Sequence, residues 1–490
     1  MSFAAIVRIN MTEEVMHLSL HEKAMAWIEA NRADLTRLSD LLWDYAEVGL
    51  QEIKSGTALA EYLKTQGFEI EMGVAGMPSA FVATWGQGKP VIGFLGELDA
   101  LPGLSQKAIP TKEPARPGAP GHGCGHNLLA LGGLGAACAA KAEMEAAGVP
   151  GTVKYYGCPA EETLVGKVFM VKDGLFDGVD VVLDWHPGAI NMVRNSSSNA
   201  MNSLKFTFHG RTAHAAGDPQ NGRSALDAVE LMNVGANYLR EHIIEKARLH
   251  YVITDGGGEP NVVPAHAEVW YYVRAPERAQ VDHIHNWLRD IAKGACLMTG
   301  TTHEERFLAG CYNVLPNTPI NKMLYEVMDE VGPSQWSEEE LEFGRKIAES
   351  FTPGQKEAAL KALKAPKETM DQVLHESILP WTDEETVGAG STDVADVSWV
   401  VPTGRFSAAT GVLGQPGHSW QYAACSGMSI GHKGMLMAAK VLAEGGLRLV
   451  KDADLRTAAQ ADFAERIGDN PYKTPIPEGI EPPLDQLPKH

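Results

Sequence analysis

Residues 90–99 read Pro-Val-Ile-Gly-Phe-Leu-Gly-Glu-Leu-Asp. The near-continuous apolar run over 90–96 is the pattern of a strand covered on both faces. It stops on two acids, Glu97 and Asp99, and open α/β sheets place their sites at the carboxyl ends of their strands. The pattern returns twice. The run at 152–157 is followed at once by Pro159-Ala160-Glu161-Glu162, and the run at 179–184 by Trp185-His186-Pro187. Helical spacing fills the intervals at 127–147 and 163–173. This alternation predicts an α/β fold, a mixed sheet bearing the chemistry with helices on both faces.

Upstream, 20–47 carries a helical stripe through Trp27, Leu35, Leu38, Leu42 and Trp43, a second helix is predicted over 54–66, and strands over 68–74 and 79–86. Downstream the texture changes. An alternating strand at 202–209, a helix over 222–248, strands at 249–254 and 266–274 and a helix over 277–294 predict a small α+β domain inserted at 201–311, a lid or dimerisation unit. The catalytic domain is then discontinuous, 15–200 and 312–450. The charged segment 332–388 reads as a surface insertion. A helix is predicted over 433–446, and 451–490 as a helix and a tail whose last twenty residues hold six prolines.

A chain of 490 residues with 44% hydrophobic and 21% charged residues is that of an ordinary globular protein of two or three domains. No run reaches the ~20 apolar residues of a membrane span, and the first ten residues lack a secretory pattern; a cytoplasmic protein is expected. The net charge of −20 argues against nucleic acid as a partner, while leaving room for local arginines to hold a small acidic substrate. The six cysteines show no disulfide spacing.

Residues 121–127, Gly-His-Gly-Cys-Gly-His-Asn, pack imidazoles and a thiol between glycines. Cys and His are good ligands for zinc and similar metals. Read alone, this is either a metal loop or a Gly-rich helix entry, and Cys124 is a ligand, a nucleophile or a buried thiol. Glu161, Glu162, His186 and His418 join it, each where a strand meets a loop. Together they supply enough donors for two adjacent metals and one free carboxylate.

In order, Gly-Cys-Gly-His-Asn (123–127), Pro-Ala-Glu-Glu (159–162), Trp-His-Pro (185–187), Gly-Arg-Thr-Ala-His-Ala-Ala (210–216) and Gly-His (417–418) resemble the M20 family of metallo-aminoacylases and carboxypeptidases. The likeness is strongest to its amidohydrolase branch, in which Cys replaces a bridging Asp. Phrases at 86–92, 241–248 and 391–399 extend it over roughly residues 20–450. The resemblance implies that Cys124, His126, Glu162, His186 and His418 ligate two divalent metal ions per chain, Zn²⁺ or Mn²⁺, with the Cys124 sulfur as bridge. Glu161 would be the general base. Where many members have His-x-Asp, this chain has Glu97-Leu98-Asp99; Glu97 is left outside the ligand set, and Asp99 is expected to orient a ligand histidine. His122 matches no ligand position. His214 resembles a histidine that reaches a partner subunit's site and bonds the oxyanion, and Asn261 and Arg274 resemble residues that hold the substrate carboxylate.

The implied function is hydrolysis of the amide of an N-acyl or N-aroyl amino acid with a free carboxylate, p-aminobenzoyl-glutamate first among the substrates. An indole-acetyl or other N-acyl amino acid hydrolase has the same site with another acyl pocket. A non-catalytic subunit completing a paralogous partner is the reading of another class. A homodimer, or a heteromer with a paralogous subunit, is expected, without membrane attachment.

Overall fold

The computed structural model describes residues 20–484; the first ten residues, read for a secretory pattern, and the end of the proline-rich tail lie outside the described residues. Helices α1 (Glu22–Ala30), α2 (Arg32–Tyr45) and α3 (Ile53–Thr65) lead into strands β1 (Glu69–Met72), β2 (Phe81–Gln87) and β3 (Val91–Glu97). Helix α4 (His126–Ala147), β4 (Gly151–Cys158), α5 (Gly166–Lys172), β5 (Val181–Gly188) and the short β6 (Met192–Val193) and β7 (Ser196–Ser197) follow. Next come β8 (Ala200–His209), α6 (Ala225–Leu239), β9 (Arg248–Asp255), β10 (His266–Ala275), α7 (Arg278–Thr299) and β11 (Thr302–Cys311). The chain then passes through α8 (Thr318–Val331), α9 (Glu338–Ala348), α10 (Gln355–Ala362), β12 (Thr386–Val387), α11 (Val394–Ser398), β13 (Thr403–Ala409), α12 (Trp420–Ser426), α13 (Ser429–Lys451) and α14 (Ala453–Ile467).

The large sheet has the order β1-β2-β4-β3-β5-β13-β6. Its centre, β4, β3, β5 and β13, is parallel, and β1, β2 and β6 flank it antiparallel. Alternation divides each central strand between two cores. Phe94 and Tyr155 turn to the side of α4 and α13, and Leu95 and Tyr156 to the side of α5. Full burial of such side chains stabilises by about 1.5–3 kcal/mol each, which is why both faces are covered. Helix α4 lies hard on the sheet: a Cβ on Gly133 would stand 2.3 Å from the Leu95 carbonyl oxygen. That approach carries the start of α4, and His126 with it, to the carboxyl ends of the parallel strands.

The second sheet, β11-β8-β10-β9, is antiparallel throughout. Phe206, Phe208 and Tyr271 pack under α6 and α7 with Met232 and Leu288, while Ser203, Trp270 and Tyr272 line a cavity toward the first sheet.

Three local readings differ from the structure. The stripe over 20–47 is two helices, interrupted at Asn31 (φ −101°, ψ 8°), whose side chain donates to the Trp27 carbonyl at 2.8 Å. Helix α6 stops at Leu239 and the chain turns extended by Ile243. Strand β11 went unforeseen because its first half is a charged edge, Thr-His-Glu-Glu-Arg. Segment 332–388 is less superficial than its charge suggests. Ile347 and Leu374 pack with Val412 and Cys425, and Leu360 and Leu379 with Ile190 and Leu413. Among the described residues no helix is long and apolar enough to cross a membrane.

Candidate metal centre

The acids and His186 stand where parallel strands end, whereas Cys124 and His126 enter α4 and His418 precedes α12. Glu97 closes β3, with Asp99 two residues on; Glu161 and Glu162 follow β4; His186 lies near the end of β5. Gly125 starts α4 in the left-handed region (φ 76°), and a Cβ there would meet Pro187 at 3.0 Å, so glycine alone lets Cys124 and His126 converge. The acidic turn is bracketed by two strained residues, Ala160 (φ 55°) and Leu164 (φ 58°). Glu52 holds it by accepting from the Ala160 N–H at 2.8 Å.

The side chains meet in two triplets that share Cys124. Its Sγ groups with ring nitrogens of His126 and His186 on one side, and with Glu162 and His418 on the other, all within 4.8 Å of one another. Cys124 Sγ lies 3.5 Å from His186 Nε2, and His418 Nε2 lies 3.3 Å from Glu162 Oε2. The imidazoles of buried His126 and half-buried His186 turn the same nitrogen inward. His126 Nδ1 faces the Asp99 carboxylate and carbonyl, each at 2.9 Å, and His186 Nδ1 faces the Pro187 carbonyl at 2.7 Å. With the proton so placed on Nδ1, each Nε2 lone pair is left for the cluster. The other Asp99 oxygen accepts from the Glu162 N–H at 2.9 Å, so one carboxylate sets both a histidine and a glutamate.

The electrostatics are those of a largely buried, acid-rich hollow. Burial pushes the Cys124 thiol up to about 12, with His126 pulling the other way. Burial lifts Glu162 to about 7 against the pull of His126. Burial, aided by Glu97 and Asp393, holds Glu161 well above the usual carboxylate range. His186 is depressed to about 4 by burial, whereas Cys124 and Glu97 raise His126 well above the imidazole range although burial opposes it. His126 Nε2, Glu97 Oε2 and Glu162 Oε1 are buried without a hydrogen-bond partner among the described residues. Unsatisfied polar atoms converging beside a thiol fit a divalent cation, which would satisfy them, displace the imidazolium proton and draw the thiolate form out.

Glu97, left outside the ligand set by the sequence reading, lies inside the centre, with Oε2 3.1 Å from His126 Nε2 and grouped with His126 and Glu161. Lys167, fully buried on α5, pairs at 2.7 Å with both Glu97 and Asp393; it reads as one polar residue in an apolar helix, and its partner Asp393 is 226 positions away. His122 stays outside, buried, with Nε2 3.0 Å from the Leu42 carbonyl.

His214, Asn261 and Arg274 are not in contact with the cluster. His214 and Asn261 sit together on exposed backbone joined by the Ala215 N–H to Asn261 carbonyl bond at 2.9 Å. His214 Nδ1 accepts from the Ala216 and Gly217 N–H groups. Arg274, on β10, places its guanidinium over the Tyr272 ring at 5.7 Å.

Two cavities flank the centre. One, of about 220 Å³, touches Glu162 and is walled by Leu50, Pro102, Trp270, Tyr272 and Leu308. The other, of about 260 Å³, touches His186 and holds Arg194, Ser196, Arg405 and Ser407.

A family model described as the peptidase dimerisation domain matches residues 197–297. Over 468 residues the chain is 43% identical to a subunit of the p-aminobenzoyl-glutamate hydrolase of Escherichia coli K12, covering 93% of this chain and 97% of that one. Among solved structures it superposes on an aminobenzoyl-glutamate utilization protein from Klebsiella pneumoniae with a TM-score of 0.60 at 18% identity, covering 88% of this chain and 98% of the other. A dinuclear metal-binding peptidase of the M20 family from Bacillus subtilis gives a TM-score of 0.54 at 16% identity, with 86% and 99% covered. At these identities the likeness to the solved structures is one of fold.

Proposed function

The chain belongs to the M20 family of metallopeptidases and amidohydrolases, and from that premise we propose that it hydrolyses the amide bond of N-aroyl or N-acyl amino acids, p-aminobenzoyl-glutamate before others. The observation that carries the reading is the pair of donor triplets sharing Cys124 with Glu161 beside them. In this reading Cys124, His126, Glu162, His186 and His418 would hold two divalent cations, Zn²⁺ or Mn²⁺. Imidazole and sulfur suit zinc, carboxylates suit manganese, and this set mixes them. When bound, the cations lower the pKa of water and polarise the amide carbonyl.

The remaining work falls to this chain's own groups. Glu161, beside the cluster and outside both donor triplets that share Cys124, accepts the proton of the attacking water and passes it to the departing nitrogen. Asp99 keeps the His126 ring and the Glu162 backbone in register. Asn261 and Arg274 hold substrate carboxylate, and His214 donates to the oxyanion of a neighbouring subunit's substrate, since its own centre lies out of contact. The inserted unit 201–311 acts as lid and dimer contact on the catalytic unit 15–200 and 312–450. Six free cysteines fit a reducing, cytoplasmic compartment.

The Escherichia coli relative is named as one subunit of its hydrolase, which favours one second reading, a chain that needs a paralogous partner to turn over. The test is the purified chain assayed alone with N-(4-aminobenzoyl)-glutamate and indole-acetyl-aspartate, alongside elemental analysis. Two metals per chain with turnover supports the first reading; two metals without turnover until a partner is added supports the second. No bound metal would overturn both.

A further inference from the structure

The cavity beside His186 is a basic pocket in an acidic protein. Among the described residues no carboxylate lines it, although the chain carries a net charge of −20. Arg194 gives one Nη to the Leu363 carbonyl at 2.7 Å, and its Nε is buried with no hydrogen-bond partner among the described residues. Arg405 spends its Nε on Asp184 at 2.7 Å, so its charge is partly met from behind. Glu384 is within electrostatic reach of Arg194, but it is exposed and paired with Lys364. The space is lined by one uncompensated guanidinium, a second half-compensated one, and Ser196 and Ser407. An orphaned buried N–H on a charged group is costly, and an anion removes that cost. The volume, about 260 Å³, is several times the ~30 Å³ share of a water. Across the centre, the cavity at Glu162 has the flat apolar walls of Trp270 and Tyr272 instead.

The geometry points to an anion subsite at Arg194 and Arg405 that takes the side-chain carboxylate of a dicarboxylic amino acid, with Arg194 as the residue that selects it. The acyl aromatic ring then lies over Trp270 and Tyr272, and the scissile amide falls between, beside Cys124. This rests on the hydrolytic reading above and adds the residue that would select N-aroyl derivatives of glutamate or aspartate over those of neutral amino acids.

Calorimetry on the metal-loaded full chain tests it with free L-glutamate and L-glutamine. Wild type is expected to bind glutamate at least ~10-fold more tightly, the scale of one hydrogen bond to a charged group. Arg194→Gln abolishes that preference and leaves glutamine binding unchanged; Arg194→Lys, which keeps the charge and loses the fork, falls between. In kinetics the Arg194→Gln loss appears in KM for N-(4-aminobenzoyl)-glutamate and is absent for N-(4-aminobenzoyl)-glutamine. A wild type without preference, an Arg194→Gln variant that retains it, or an equal loss of both ligands overturns the subsite. A chain that selects glutamate through Arg194 yet hydrolyses neither amide, alone or with a paralogous partner added, keeps the subsite and overturns the hydrolytic reading; one that hydrolyses both without regard to Arg194 does the reverse.

Discussion

Glu161 and Glu162 are neighbours in sequence with different surroundings. Glu162 has its backbone fixed by Asp99 and its carboxylate against His418, while Glu161 comes no nearer to His126 Nε2 than 3.9 Å. A carboxylate that touches the cluster without being tied into it is free to move protons. Glu161→Gln is therefore expected to keep the metal content and lose about 10²–10⁴ in kcat, the range for general acid–base groups. Steady-state kinetics with elemental analysis on the same sample decides it, and full turnover would remove Glu161 as base. Asp99 acts differently, because both its oxygens accept. In Asp99→Asn one of them becomes an NH₂ facing a donor, so His126 and Glu162 cannot both be held. Metal affinity should drop roughly 10–100-fold, read by chelator competition; unchanged affinity would make Asp99 a spectator.

Segment 332–388 shows where sequence and structure part. The strands at 90–96, 152–157 and 179–184 announced themselves by apolar runs ending on acids or histidine, because period and chemistry are both local. The support of His418 is not local. Gln355 on α10 donates to the Gly414 carbonyl at 2.8 Å, the Leu413 N–H donates to the Val373 carbonyl at 3.0 Å, and Gln421 reaches Ser350 at 3.1 Å. Each partner is ordinary in sequence and lies across a fold no periodicity specifies. Lys167 with Asp393 hides for the same reason. Within this segment His375 is buried, accepts from the Asn191 N–H at 3.1 Å, and is depressed to about 4 by burial. The unfolded imidazole titrates near 6.5, so below that pH the opened segment binds a proton that the closed one does not. Stability is then full above pH 6.5 and lost as pH falls toward 4, by at most about 3 kcal/mol. Hydrogen exchange at the Leu379 and Leu413 amides, corrected for intrinsic rates, should show opening that steepens between pH 6.5 and 5 in wild type and less so in His375→Asn. Equal pH slopes in the two proteins would refute this.

The inserted sheet ends on β9, a strand that among the described residues pairs only with β10 and exposes Tyr251, Val252 and Ile253 at 38%, 53% and 40%. Tyr238 on α6 and Leu297 on α7 are more exposed still, at 71% and 86%. An unpaired edge with apolar side chains is a template for a second copy, and residues 197–297 match a peptidase dimerisation domain. The exposed His214 has a reason to be there if a two-fold axis carries it to the neighbour's centre, because an isologous contact gives each subunit the other's histidine. Val252→Lys should then yield a folded monomer by sedimentation velocity, with its metal retained and its turnover lost. The sharper test mixes two inactive chains, Glu161→Gln and His214→Ala. If each site draws its base from one subunit and His214 from the other, hybrid dimers contain one intact site, and co-expression should restore turnover well above either variant alone. If His214 serves its own chain, every site in the mixture lacks one group and no activity returns.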